Sequence, residues 1–381
     1  MKRRKFLAIA GGGIILAAGA SIGTIASRFP HKALEPWSKA GSGYTEPRMR
    51  ALSYAILAPN PHNQQPWMVD LSKADQITLK IDTDRLLPHT DPYSRQITIG
   101  QGCFLEILRM AAAEDGHRVD FNLFPEGSDN TNLDDRPVAI ISFTKDPSVS
   151  PDPLFAHVFD RRSTKDPFDT TKEVATSALE RIASSVQNNS QVSTNNEPSH
   201  VQKLREFSHT AMAVEIDTPR TYKESVDLFR IGKAEIEANP DGIDFSGPFF
   251  ELAHTTGFMT REGVLDRSST QFSEGLKAVY STTDTAMAHL WQITQGNTRE
   301  DQINAGRDWV RLNLAVTAEG LAIQPLSQAL QEYPEMEAHY KQVHKDLAPN
   351  GGTIQMLARL GYAKRVEQSP RWPLEAKIIE A

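Results

Sequence analysis

Cysteine is nearly absent: Cys103 is the single one in 381 residues. That excludes an intrachain disulfide framework and any zinc or iron–sulfur site built from clustered cysteines. Positive charge is not in excess either, since Lys+Arg 41 against Asp+Glu 48 leaves a net charge of −7. A broad nucleic-acid-binding face is therefore not expected. The 11 histidines show no ligand spacing, so no metal is expected. No H-E-x-x-H and no P-loop occurs, and Gly100-Gln101-Gly102 lacks the third glycine of a dinucleotide fingerprint. What remains is ordinary globular material, 39% hydrophobic with 23 Gly and 23 Pro. At about 150 residues per domain, that length suggests two or three domains or one large one with an insertion.

The chain opens Lys2-Arg3-Arg4-Lys5, and no charge follows from Phe6 to Ala26. A basic flank before an apolar run is the pattern of an export signal, and the arginine pair before Phe6-Leu7 resembles the twin-arginine type. A membrane anchor is the other reading, because the uncharged run is long enough to span about 30 Å of hydrocarbon. Twin-arginine export moves folded proteins and suits a chain that takes up its cofactor before export. Residues 1–30 are thus read as a signal or anchor, with a periplasmic or otherwise exported destination and the twin-arginine machinery as a partner.

Beyond a connector at 27–43, Met49, Leu52 and Ile56 mark a helix that stops at Pro59. Trp67, Val69 and Leu71 alternate, as do Ile77, Leu79 and Ile81, predicting two strands. A helix over about 98–115 ends at Gly116, placed for a left-handed cap, and strands are expected at 119–124 and 138–143. The second half reads as more helical: about 172–186, 200–215, 222–238, 270–295, 300–319 and 334–347, with a short strand at 353–357. Gln187–His200 is polar and reads as an exposed loop. Between Asn239 and Ser269, Gly, Pro and aromatics without a clean period suggest an insertion or lid.

A weak repeat joins the halves. Laying the helix before Gly116 over the helix before Gly320 brings Gly102 onto Gly306, Leu108 onto Leu312, Met110 onto Leu314 and Ala111 onto Ala315.

Four clusters have the residue types for chemistry. Asp160-Arg161-Arg162-Ser163-Thr164-Lys165 precedes a helix and puts three cations and two hydroxyls within five residues, suited to a phosphate dianion or to a solvated loop. Asn63-Gln64-Gln65-Pro66-Trp67 offers several amides at a turn, for a heteroaromatic edge or for the turn itself. Gly320-Leu321 followed by Pro325, Leu326, Ser327 and Gln328 is a helix stop and an extended run whose backbone can address a flat ligand. Arg371, between Pro370 and Trp372-Pro373, is a cation near the chain end.

Together these resemble the nitroreductase family of FMN-binding proteins. Arg161, Arg162, Ser163 and Lys165 match its R-x-S-x-K/R phosphate box, and Asn63 and Gln65 fall in its N-x-Q-P-W flavin-contact motif. Gly320-Leu321 with Pro325–Gln328 is similar to the segment whose backbone faces the flavin ring, and Arg371 to the C-terminal arginine that reaches the phosphate. In the family the phosphate box comes first; here it follows N-x-Q-P-W by about a hundred residues. With the helix repeat, this order most resembles the Acg-type branch. It implies an α+β, nitroreductase-like fold of two related halves fused as a pseudo-dimer around one FMN, with a lid. The halves are expected at 44–150 and 155–381, with the lid at about 222–275.

The resemblance implies an FMN-dependent oxidoreductase that passes two electrons to a small stacked acceptor, nitroaromatic or quinone-like, from NAD(P)H or another reductant. No side chain is expected to be an essential acid or base. The alternative is a non-catalytic FMN-binding or flavin-sequestering protein covered by its lid; a decayed, membrane-tethered scaffold is a third reading.

Overall fold

The protein's structure, a computed structural model, describes residues 28–379, so the signal or anchor expected at 1–30 lies outside it except for its last three residues. The first half runs α1 (His31–Lys39), α2 (Pro47–Ala55), β1 (Trp67–Asp70), β2 (Gln76–Ile81), α3 (Arg95–Glu114), β3 (His117–Leu123) and β4 (Ala139–Lys145). The second begins α4 (Thr176–Ala183), β5 (Gln191–Asn195), α5 (Pro198–Asp217), α6 (Pro219–Asp227), β6 (Phe229–Ile231), α7 (Gly232–Ala238) and β7 (Ile243–Phe245). It continues with α8 (Pro248–Thr255), α9 (Arg261–Leu265), α10 (Thr270–Thr283), β8 (Ala288–Thr294), α11 (Arg299–Ala318), β9 (Ala322–Pro325), α12 (Glu337–Leu347) and β10 (Thr353–Gly361). The fold is α+β, as expected.

Two antiparallel sheets flank the long helices, in the orders β1-β2-β4-β3 and β5-β8-β10-β9. Each sheet sends its second strand into a twenty-residue helix that returns as the far edge strand: β2–α3–β3 in one, β8–α11–β9 in the other. The segment between β5 and β8 has no equivalent in the first half and carries a two-stranded parallel pair, β6 and β7. It is wider than the 222–275 expected from sequence.

Helices α3 and α11 meet through the two glycines that the sequence repeat superposes. A β-carbon on Gly102 would lie 2.1 Å from the Ile303 carbonyl oxygen, and one on Gly306 would lie 1.9 Å from that of Ile99. Only glycine lets the backbones approach this closely. Around them Phe104, Leu108, Val310 and Leu314 join both sheets into one core.

Four expectations fail. The connector expected at 27–43 contains helix α1, with Trp37 buried. The helix expected over 270–295 ends at Thr283, and Ala288–Thr294 is a strand buried on both faces. Such a strand shows no alternation and reads as a helix in sequence. The helix expected over 222–238 breaks at β6, where Gly232 takes φ +78°. The polar stretch read as a loop contains β5, a half-exposed edge strand paired with β8. Among the described residues no helix is long and apolar enough to cross a membrane.

Candidate functional site

Helix α2 ends at Ala55, and the carbonyls that follow it point at two arginines from distant parts of the chain. Arg161 donates Nη2 to Leu57 O at 3.2 Å, and Arg371 donates to Ile56, Leu57 and Ala58 O at 3.0, 3.1 and 3.2 Å. Helix ends leave such carbonyls unpaired, and they carry the negative end of the helix dipole. The guanidiniums thus share one acceptor while deeply buried, with no carboxylate in ion-pair contact among the described residues. Burial pushes Arg161 down to about 10. Arg371 falls to about 9, first through burial and then through the Arg161 charge.

The phosphate-box segment has a two-residue rhythm. Arg162 is engaged by the carbonyls of Val366, Phe159 and Arg161, and Thr164 N–H donates to Ile323 O at 2.9 Å on β9. Arg161 keeps Nε and Nη1 without a partner, and Ser163 and Lys165 have no hydrogen bond or ion pair among the described residues. Residues 161, 163 and 165 thus leave donors available in alternation, as one face of an extended chain does. Crowding by protein lowers the Lys165 pKa, while Asp244 of β7 raises it less.

Arg359, which sequence reasoning missed, holds this segment from beneath. Fully buried in β10, it donates to Asp166 O at 2.7 Å and Gln324 Oε1 at 2.6 Å, and stacks 3.7 Å from the Phe168 ring. Its only signal is one cation inside the otherwise apolar run Met356–Leu360.

The amide turn is strained. His62, Asn63 and Gln65 have φ of +47°, +53° and +51°, a region costing non-glycine residues on the order of 1 kcal/mol or more each. Hydrogen bonds hold it there. Asn60 Oδ1 accepts from Gln65 N at 2.7 Å, Asn63 Oδ1 accepts from Arg371 Nη1 at 2.7 Å, and Asn63 Nδ2 donates to Pro370 O at 3.0 Å. Gln65 is consumed by the protein: Nε2 donates to Pro240 O at 2.7 Å and Oε1 accepts from Trp372 N at 2.9 Å. Every nitrogen of Arg371 likewise has an intrachain acceptor, so this arginine pins the turn to the chain end, whereas Arg161 keeps donors open.

The β5–β8 segment reaches the same place. Asp241, just ahead of β7, is buried and accepts from Arg85 Nη1 and Arg230 Nη2, both at 2.7 Å. Although burial alone would raise its pKa, the Arg85 bond leads the effects that hold it below the usual carboxylate range. Asp244 follows with its pKa raised by burial, near Lys165 and Arg371.

The Gly320–Gln328 cluster joins only in part. β9 touches the phosphate box through Ile323 and Gln324, but Pro325 pairs with Ala358 and Leu326 N–H donates to Leu357 O at 2.8 Å. Leu326 is core, Ser327 O caps the 3-10 turn at Gln328–Leu330, and Gln328 O accepts from Gln331 N at 3.0 Å. No hydrogen bond links these four to Arg161 or Arg371 among the described residues. Cys103 is buried, with its thiol pushed up to about 12 by desolvation, and is unreactive at neutral pH.

No family model matches the chain. A Mycobacterium tuberculosis protein described as "Putative NAD(P)H nitroreductase acg" is 34% identical over 83 residues, which is 22% of this chain and 25% of that protein. The match thus spans about a quarter of that relative's length. Among solved structures, the FMN-dependent nitroreductase NfnB from Mycobacterium smegmatis, in complex with NADPH, aligns over 58% of this chain and 95% of its own at 18% identity and TM-score 0.37. A nitroreductase with bound FMN from Desulfitobacterium hafniense aligns over 60% and 99% at 11% identity and TM-score 0.35. The chain is similar to these nitroreductases over those limited spans.

Proposed function

We propose that the chain is an FMN-dependent oxidoreductase, with the FMN phosphate held by Arg161, Ser163 and Lys165. The observation that carries this reading is the alternation of unpartnered donors at those three positions, beside a buried guanidinium pair with no carboxylate in contact. A phosphate dianion satisfies what the protein leaves open, and charge-assisted bonds from arginine and lysine are strong. Arg371 and Asn63 form the wall of this cradle, and Arg359 fixes the box against β9.

Bound FMN supplies two-electron transfer to a small acceptor such as a nitroaromatic or quinone. The side chains bind, orient and exclude water; no buried acid–base pair is needed. The reductant is NAD(P)H or an equivalent donor. We place the working protein outside the cytoplasm, brought there by the twin-arginine flank at Arg3-Arg4.

A flavin-sequestering role is the second reading, favoured by the way Pro240 O and Gly242 N–H tie the inserted segment onto the Asn63–Gln65 turn. The absorbance spectrum of freshly purified protein tests both, with one FMN per chain expected. A colourless protein that takes up no added FMN contradicts both. Reoxidation of the reduced protein by oxygen and nitroaromatics separates them: fast turnover supports the enzyme, slow reaction the covered carrier.

A further inference from the structure

A cleft of about 510 Å³ opens beside the α3–α11 contact and shares no residue with the Arg161 cradle. Its floor is an ionic cluster at the α3–α11 contact. Glu106, fully buried, accepts from Arg109 Nη2 at 2.6 Å, Arg311 Nη1 at 3.1 Å and Arg307 Nε at 3.0 Å. Asp152 accepts from Arg311 Nη1 at 2.6 Å and Arg109 Nη2 at 3.2 Å. Three guanidiniums therefore meet two carboxylates, and buried Asp308, between Arg307 and Arg311 on α11, is a third negative charge nearby. Both carboxylates stay ionised, since these arginines outweigh the burial that would raise their pKa. Buried Asp308 makes no ion pair with these arginines among the described residues; its oxygens accept the N–H groups of Gln187, Asn188 and Ser190, so it takes up none of the guanidinium donors.

The donors that these carboxylates leave over face the cleft. Nη1 of Arg109 and Nη2 of Arg311 have no hydrogen-bond partner among the described residues, and neither atom is sealed from solvent. Both arginines line the cleft, with the Arg181–Glu319 pair at its rim. The remaining wall is mixed: Leu154, Ile182 and Ala318 form an apolar patch, and Ser150, Ser185 and Gln187 are polar. Two open guanidinium donors, in a lining that holds three arginines against two carboxylates and carries an apolar patch, suit an anion with an apolar body rather than a bare inorganic ion.

We propose that this cleft binds a small organic monocarboxylate, its carboxylate on Arg109 and Arg311 and its hydrocarbon or aromatic body against Leu154, Ile182 and Ala318. The site is independent of the flavin reading. The test is calorimetric titration of the full chain with benzoate, succinate and inorganic phosphate at fixed ionic strength. Benzoate is expected to bind saturably with a Kd below about 1 mM, and more tightly than phosphate. Arg109→Gln should weaken it about tenfold or more through the lost charge-assisted bond. Ala318→Phe, which fills the cleft without touching the ionic cluster, should abolish it and decides the matter if the arginine variant fails to fold. No saturable benzoate binding, binding undiminished by Ala318→Phe, or tighter binding of phosphate overturns the proposal.

Discussion

Asp241 and Trp372 meet side chain to side chain, Trp372 Nε1 donating to Asp241 Oδ2 at 2.9 Å across 131 residues of sequence. Through this bond the inserted segment holds the residue beside Arg371, while Arg85 and Arg230 neutralise the same carboxylate. Breaking a buried ion pair by removing one charge costs about 3–5 kcal/mol. Asp241→Asn should therefore speed amide hydrogen exchange of Ile243–Phe245 by about a hundredfold or more. Unchanged protection there would remove Asp241 as the tie.

The glycine contact between α3 and α11 makes a second prediction. Gly306→Ala must push the Ile99 backbone away, so it should lower stability by about 2 kcal/mol despite alanine's better helix propensity. Gly275 in α10 is the control: nothing lies within 4 Å of its missing β-carbon. Alanine there should stabilise by about 0.5–1 kcal/mol. Equal effects in denaturant unfolding would contradict the close packing.

Acid should destabilise the fold through buried histidines. His289 lies fully buried in β8 with neither ring nitrogen bonded, and burial pushes its pKa down to about 3. His62 is pushed to about 4, by burial and then by Lys165. The unfolded chain takes up these protons first, near pH 6.5, so the stability they contribute is complete above that pH. It falls as pH drops towards 4, by about 1.4 kcal/mol per unit for each histidine. His289→Phe should flatten this slope; a slope unchanged between pH 6.5 and 4 would show that His289 is not buried neutral.

Export should need the arginine pair itself. Changing Arg3 and Arg4 both to Lys keeps the charge, so a general secretory signal or anchor would still work, whereas twin-arginine recognition fails. Cytoplasmic retention of the double variant is expected on cell fractionation; normal fractionation would discard this route.

What was legible in the sequence follows from how local each cause is. The basic run Arg161–Lys165 is contiguous, and Arg161 Nε and Nη1, Ser163 and Lys165 have no partner in it among the described residues. The α3 and α11 spans were legible because apolar spacing and the glycines at 116 and 320 are local signals. Strand β8 was not, since burial on both faces erases the period of two. Asp241 and Arg359 act through partners more than thirty or a hundred residues away, including Asp166 and Arg85. No spacing rule reports such contacts. Gln65 shows the same limit from the other side: its motif suggests a ligand contact, but its amide is taken up by Pro240 and Trp372.

The most direct test of the phosphate cradle compares FMN with riboflavin, which lacks the phosphate, by fluorescence titration of the native chain and of Arg161→Ala. FMN should bind one per chain and much more tightly than riboflavin. Arg161→Ala should cost about 2 kcal/mol, roughly thirtyfold, for FMN and little for riboflavin. Equal affinities for the two flavins in the native chain, or an FMN affinity unmoved by the substitution, would contradict a phosphate held at Arg161.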